Sequence, residues 1–276
     1  MGDDKIEVIA LADGRTVTVR LATPEDVDEL TRMYESLSDE DRYRRFFSMA
    51  RPQKRVIQRL TNAAAAGGLW LVAVTDDGRI IADVGYTALP DGDAELAITV
   101  TEPWRGWFGP FLLDVLCHEA AVHGIHNLRA NVLLENRKML RLAARRGCAV
   151  FSYPDTNVIE LTMSSGDGMP GWPPKHDRRR LLVEGCGGRW RGAPEARRSG
   201  WDVITCAGPG TAQVRTCPIL TGGRCPLVDE ADEVVLAFPA GDPRRAQLTK
   251  THTVRTPTVA ITTDEEWAAE HARPEL

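Results

Sequence analysis

The chain has 276 residues, 43% of them apolar and 26% charged, with 34 basic side chains against 39 acidic ones. That length is ample for two domains of ordinary size. The net charge of −5 argues against a polybasic nucleic-acid binder, an acidic disordered tail and a collagen-like polymer, which leaves a globular protein.

The start MGDDKIEV has neither a basic region nor an apolar core, so no secretory signal is expected, and Ile6 breaks the myristoylation pattern. The uncharged run from Leu60 to Thr75 contains Thr61, Asn62 and two glycines and falls short of the roughly 20 apolar residues that cross a bilayer. A cytoplasmic protein with no membrane span and no nucleic-acid partner is expected. Six cysteines (117, 148, 186, 206, 217 and 225) are scattered without a CxxC pair, so they read as reduced, mostly buried thiols rather than as a metal site. Cys217 and Cys225 flank CPILTGGRC, where a redox pair is the alternative.

Thr16 to Arg20 alternates as a strand does, and Thr23, Pro24 and Asp26 then supply an N-cap, a first-turn proline and an N3 carboxylate. A helix is expected from Pro24, with Val27, Leu30, Met33 and Tyr34 on one face. Further helices are expected over Glu40 to Phe47 and Gln53 to Ala64. Strands follow at Leu69 to Thr75 and Ile80 to Leu89, joined by a turn at Asp76, Asp77 and Gly78. Glu95 to Val100 reads as another strand and Phe111 to His123 as a helix stopped by Gly124. A strand ending over Asn131 to Leu134, a helix from Arg137 to Arg146 that stops at Gly147, and strands at Val150 to Tyr153 and Val158 to Thr162 complete this half.

Ser164 to Asp177, SSGDGMPGWPPKHD, has no apolar period and reads as a linker. Residues 1–163 carry 19 basic and 24 acidic groups, whereas 164–276 carry 15 of each, so two differently built domains are expected, 1–163 and 178–276. In the second, strands at Leu181 to Glu184, Val203 to Ala207, Val234 to Phe238 and Val259 to Thr262 alternate with helices at Pro194 to Ser199, Pro243 to Lys250 and Asp264 to His271. That alternation predicts a small open parallel sheet. LLVEGCGG is similar to the first strand of receiver-like and nucleotide-binding folds, a weak motif on its own. A regulatory or oligomerisation module is the reading for this half.

Four segments, VRLATPEDVDEL, LSDEDRYRRFF, AELAITVTEPWRG and LLENRKMLRLAARRGC, resemble the GNAT acyltransferases across Thr16 to Met163. Ser38 to Phe47 and Ala94 to Val100 are most similar to the bacterial protein lysine acetyltransferase branch. The resemblance implies an α/β (α+β) fold, with a mixed, mostly antiparallel sheet flanked by helices and the small α/β domain appended. It also implies acetyl-CoA as cosubstrate and a protein lysine or small-molecule amine as acceptor.

A lysine ammonium must lose its proton before it attacks a thioester, which calls for a carboxylate nearby. Glu95 stands at the family's position for that base; by strand alternation it shares a face with Ala97 and Thr99. Without the resemblance it reads as a solvated strand carboxylate. The implied cofactor contacts are Ile98 and Val100 on the same strand, the loop Arg105, Gly106, Trp107, Phe108 and Gly109, then Phe111, and Asn136 with Met139. Pyrophosphate is held best by backbone N–H groups at a helix N-terminus. In the ungapped register Phe108 and Pro110 replace the family's two glycines; a one-residue deletion returns Gly109 to the second and leaves Pro110 as the first helical residue. Asn136 is equally a plain N-cap, and Ala143 stands where many relatives carry a tyrosine acid. The run Asp41 to Arg45 is either a solvated helix face or part of the acceptor side. The alternatives to an enzyme are a non-catalytic acyl-CoA sensor with a degenerate loop, or a scaffold that has lost CoA.

Overall fold

In the computed structural model the residues described are 5–146, 149–153, 157–166, 168–173, 177–186, 188–209 and 217–271. Contacts divide the chain into two compact units, 1–130 and 131–276.

The first unit is built on strands β1 (Lys5–Ala10), β2 (Thr16–Leu21), β3 (Leu69–Thr75), β4 (Ile80–Ala88) and β5 (Ala94–Val100), followed by β6 (Asn127–Leu133), which runs across the unit boundary. They lie in chain order, antiparallel from β1 to β5, with β6 parallel to β5. β1 was not expected from the sequence; most of its described side chains are exposed, so the segment lacks the one-sided apolar alternation that marks a strand. Helices α1 (Val27–Glu35), α2 (Asp39–Phe46) and α3 (Lys54–Thr61) connect β2 to β3, and α4 (Phe108–Val122) connects β5 to β6.

The helix signal at Thr23 is realised as a 3-10 turn over Pro24–Asp26 leading into α1. Asp26 accepts from the Thr23 N–H at 2.8 Å and takes a bidentate fork from Arg20. Burial alone would raise its carboxyl; the Arg20 and Thr23 donors hold it below the usual range. Val27, Leu30, Met33 and Tyr34 of α1 pack with Ile57 of α3 against Val72 and Ile80. Burying a side chain such as Leu30 or Ile57 contributes about 1.5–3 kcal/mol.

The second unit holds α5 (Arg137–Arg146), β7 (Ala149–Ser152), β8 (Val158–Ser164), β9 (Arg179–Glu184), α6 (Ala193–Arg198), β10 (Trp201–Cys206), α7 (Pro226–Asp229), β11 (Glu233–Leu236), α8 (Pro243–Arg255), β12 (Ala260–Thr263) and α9 (Asp264–His271). Its strands run in the order β8-β7-β10-β9-β11-β12, and the last four are parallel to one another. The open parallel sheet expected for residues 178–276 is therefore present. Side chains alternate between two layers: Leu181, Val183, Val203 and Val235 pack with Trp190, α6 and Trp267 of α9, while Leu182, Ile204, Val234 and Leu236 pack with α7 and Leu248 of α8. The short α7 escaped the sequence reading because a four-residue helix has no period to detect. Gly147 and Cys148, the expected stop of α5 and one of the six cysteines, lie outside the described residues.

Candidate functional site

On β5, Glu95 is exposed and Leu96 is buried. Glu95 is paired with Thr87 of β4 and Arg129 of β6. The face it shares with Ala97 and Thr99 continues onto β4, where Gly85 lies opposite Ala97 and Asp83 opposite Thr99. Toward Thr99 that face is closed. The Trp70 ring of β3 lies so near Gly85 that any Cβ there would overlap it.

Asp83 is fully buried and accepts from Tyr34 OH at 2.8 Å and from Trp70 Nε1 at 2.9 Å, both on one oxygen. Its other oxygen is buried with no hydrogen-bond partner among the described residues. Burial pushes its carboxyl up in spite of the nearby Arg45 guanidinium and those two donors. Burial, and secondly the Asp83 charge, also pushes the Tyr34 hydroxyl far above its ordinary value. Arg45 of α2 donates from Nε to Thr99 Oγ1 at 3.1 Å, and its guanidinium lies over the Phe46 ring (4.8 Å) and the Trp70 ring (5.8 Å). Arg45 therefore serves this network rather than a purely solvated face. The network was not anticipated, although a lone carboxylate inside the apolar strand IIADVGY is a readable signal that a buried partner exists.

Between β5 and α4 a 3-10 turn over Glu102–Trp104 leads to Gly106 at φ +100°, with no atom within 4 Å of where a Cβ would stand. Helix α4 begins at Phe108, not at Phe111, so Pro110 is its third residue rather than its first. The earlier start is allowed because none of the first four N–H groups of a helix has an intrahelical acceptor, and a proline anywhere in that turn loses no helical bond. Phe108 does not stand over the loop. It is fully buried, with Trp104, Trp107 and Phe111 ring centroids at 6.2, 5.1 and 5.9 Å.

Arg105 donates from Nε to the Val100 carbonyl at 3.0 Å and from its second guanidinium nitrogen to Asp41 of α2 at 2.7 Å. The structure thus brings Val100, Arg105 and Asp41 together, the last of which the sequence placed only in a charge run. Partial burial tends to raise the Asp41 carboxyl, but Arg105, the Ser38 hydroxyl and Arg44 together hold it below the usual range. Ile98 and Val100 are half-buried, and Trp107 is 51% exposed.

The remaining expected contacts belong to the second unit. Asn136 Oδ1 accepts from the Met139 N–H at 3.2 Å, the bond of an N-cap at the start of α5, and Met139 is half-buried. Ala143 is fully buried. Glu184, at the end of β9, is buried and joined to the buried His252 of α8 at 2.8 Å. Cys117, Cys186, Cys206, Cys217 and Cys225 are free thiols. Burial pushes Cys206 and Cys217 up, and Cys225 up to about 12, so these thiols are poor nucleophiles. Among the described residues no cluster of three His, Cys, Asp or Glu side chains is placed to hold a metal, and no helix is long and apolar enough to cross a membrane.

Residues 16–149 match the family model for the acetyltransferase (GNAT) domain. Acetyltransferase Pat of Mycolicibacterium smegmatis is 28% identical over 181 residues, covering 62% of this chain and 53% of that protein. The chain thus spans about half the length of that curated relative. The crystal structure of the GNAT domain of S. lividans PAT aligns with 59% of this chain and 98% of its own at 27% identity, with a TM-score of 0.52. A putative acetyltransferase from Salmonella typhimurium, solved with its cofactor acetyl-CoA, aligns with 56% of this chain and 96% of its own at 16% identity and a TM-score of 0.46.

Proposed function

We propose that the chain is an acetyl-CoA-dependent N-acetyltransferase that acts in the cytoplasm on a protein lysine or another primary amine, by direct attack in a ternary complex. The functional division follows the linker 164–177, with residues 1–163 as the acyltransferase part and 178–276 as a regulatory part. The carrying observation is the Glu95 carboxylate, exposed on β5 of the GNAT domain beside a face otherwise closed by Trp70, Asp83 and Arg45. Glu95 takes a proton from the acceptor ammonium, directly or through one water. The freed amine then attacks the thioester carbonyl, the C–S bond breaks with release of CoA thiolate, and the proton that the nitrogen gives up as the amide forms reaches the thiolate through solvent. Ala143 offers no acid for that last step.

The loop residues fit a pyrophosphate in two respects and strain the fit in two others. Gly106 leaves open space and the Phe108 ring is turned into the core, so the backbone is approachable. Pro110, however, removes one of the four first-turn N–H groups, and the Arg105 guanidinium is already held by Asp41. Those two features support the second reading, a non-catalytic acyl-CoA sensor.

Calorimetric titration with acetyl-CoA followed by an acetylation assay of Glu95→Gln separates the two. The enzyme reading requires acetyl-CoA binding in both proteins and a loss of about 10²–10⁴ in turnover for the variant. Binding without Glu95-dependent turnover on any amine favours the sensor, and absence of binding removes both.

A further inference from the structure

A cavity of about 190 Å³ lies in the second unit against the loop that leaves β9. Its apolar wall includes Leu134, Tyr153 and Trp190, and Arg189, Arg191 and Arg197 also line it. No carboxylate lines it among the described residues. The Arg189 and Arg191 guanidinium groups have no hydrogen-bond or ion-pair partner among the described residues, whereas in the same unit Arg180 is paired with Glu230 and Arg244 with Asp242. Like charges gathered on one concavity repel one another unless an anion joins them.

The loop that carries these two arginines is held in place. Gly188 donates its N–H to Thr205 Oγ1 at 3.3 Å, the Trp190 N–H donates to Tyr153 OH at 3.0 Å, and Trp190 Nε1 donates to Asp264 at 2.7 Å. Residues 188 and 190 are buried while 189 and 191 are exposed, so the loop is anchored through the first pair and leaves the two arginines, which line the cavity, accessible. Such anchoring lowers the entropy lost on capturing a ligand.

We propose that this cavity binds a small phosphomonoester whose body is apolar. A phosphate dianion presents three terminal oxygens to two planar guanidinium forks, a match that a monoanionic carboxylate lacks. The Tyr153 and Trp190 walls take the apolar body. The volume suits a ligand of about one ring, below the usual range of about 300–1,000 Å³ for larger ligands.

The test is calorimetry on the full chain with phenyl phosphate, benzoate and inorganic phosphate as probes. Phenyl phosphate is expected to bind with a Kd of about 1 mM or tighter, and benzoate and inorganic phosphate about tenfold more weakly or worse. The Arg189→Ala/Arg191→Ala variant, whose exposed side chains leave the wild-type melting temperature unchanged, is expected to lose at least about tenfold in phenyl phosphate affinity. Raising the salt concentration is expected to weaken binding in the wild type and much less in that variant. No phenyl phosphate binding at about 5 mM, equal affinity in the double variant, or benzoate binding as tightly as phenyl phosphate overturns the proposal.

Discussion

Each unit contains a loop that leaves a strand and enters a helix, and the two treat their arginines in opposite ways. In the first unit the segment from Val100 to Phe108 carries Arg105, whose guanidinium is spent on Val100 and Asp41, and its helix start is packed with aromatic rings. In the second unit the segment from Gly188 to Gly192 carries Arg189 and Arg191, whose guanidinium groups have no partner among the described residues, on a backbone tied to Thr205 and Tyr153. A basic residue after a strand is therefore not in itself a phosphate contact. Its availability is decided by whether a carboxylate from elsewhere in the fold reaches it first.

The strongest way to break this contrast is to disturb the anchoring of the second loop. A Cβ on Gly192 would overlap the Trp190 ring, so Gly192→Val forces the indole off its place between Gly192 and Trp267. Overpacking of this kind destabilises by about 1–3 kcal/mol, with the upper end expected here; urea unfolding measures it, and an unchanged midpoint would show that the loop is not anchored through Trp190.

In the first loop the corresponding change is gentler. Gly106 has φ +100° but open space around it, so Gly106→Ala meets backbone strain alone, about 1–2 kcal/mol. Its expected signature is a weaker acetyl-CoA affinity in calorimetry, with a smaller stability loss than Gly192→Val.

The smallest effect is expected for Asp41→Asn, which removes a half-buried ion pair worth about 1 kcal/mol. The Asp41 carboxyl is held low, since Arg105, Ser38 and Arg44 outweigh the raising effect of burial. Its contribution is therefore complete above the ordinary carboxylate pKa of about 3.9 and fades as pH falls through the lower folded value. Wild type and variant should differ in urea midpoint near neutrality and converge in acid. A constant difference down to the lowest pH at which both fold would show that Asp41 acts through packing rather than charge.

Local signals in the sequence were the legible ones. Thr23 to Asp26, the turn at Asp76 to Gly78 and the Asn136 cap each act within a few residues, and the structure contains all three. The strand expected over Glu95 to Val100 was equally plain and is observed over Ala94–Val100 with Glu95 exposed. The first turn of α4 was misplaced because Pro110 suits any residue of a helix start, and the sequence does not say which. What stayed hidden depends on distant partners: Asp41 meets Arg105 across 64 residues, and Tyr34 meets Asp83 across 49. Neither spacing follows from any period of helix or strand.

Gly85 and Trp70 also shape how the first unit can change over time. A methyl group at position 85 requires the indole at 70 to be trimmed beforehand, yet trimming it removes a donor from a carboxylate whose other oxygen already lacks a partner among the described residues. Asp83 would then have to change as well, and Tyr34 would lose its acceptor. No single substitution along that route is neutral on its own, so positions 34, 70, 83 and 85 are expected to drift together among related chains or not at all.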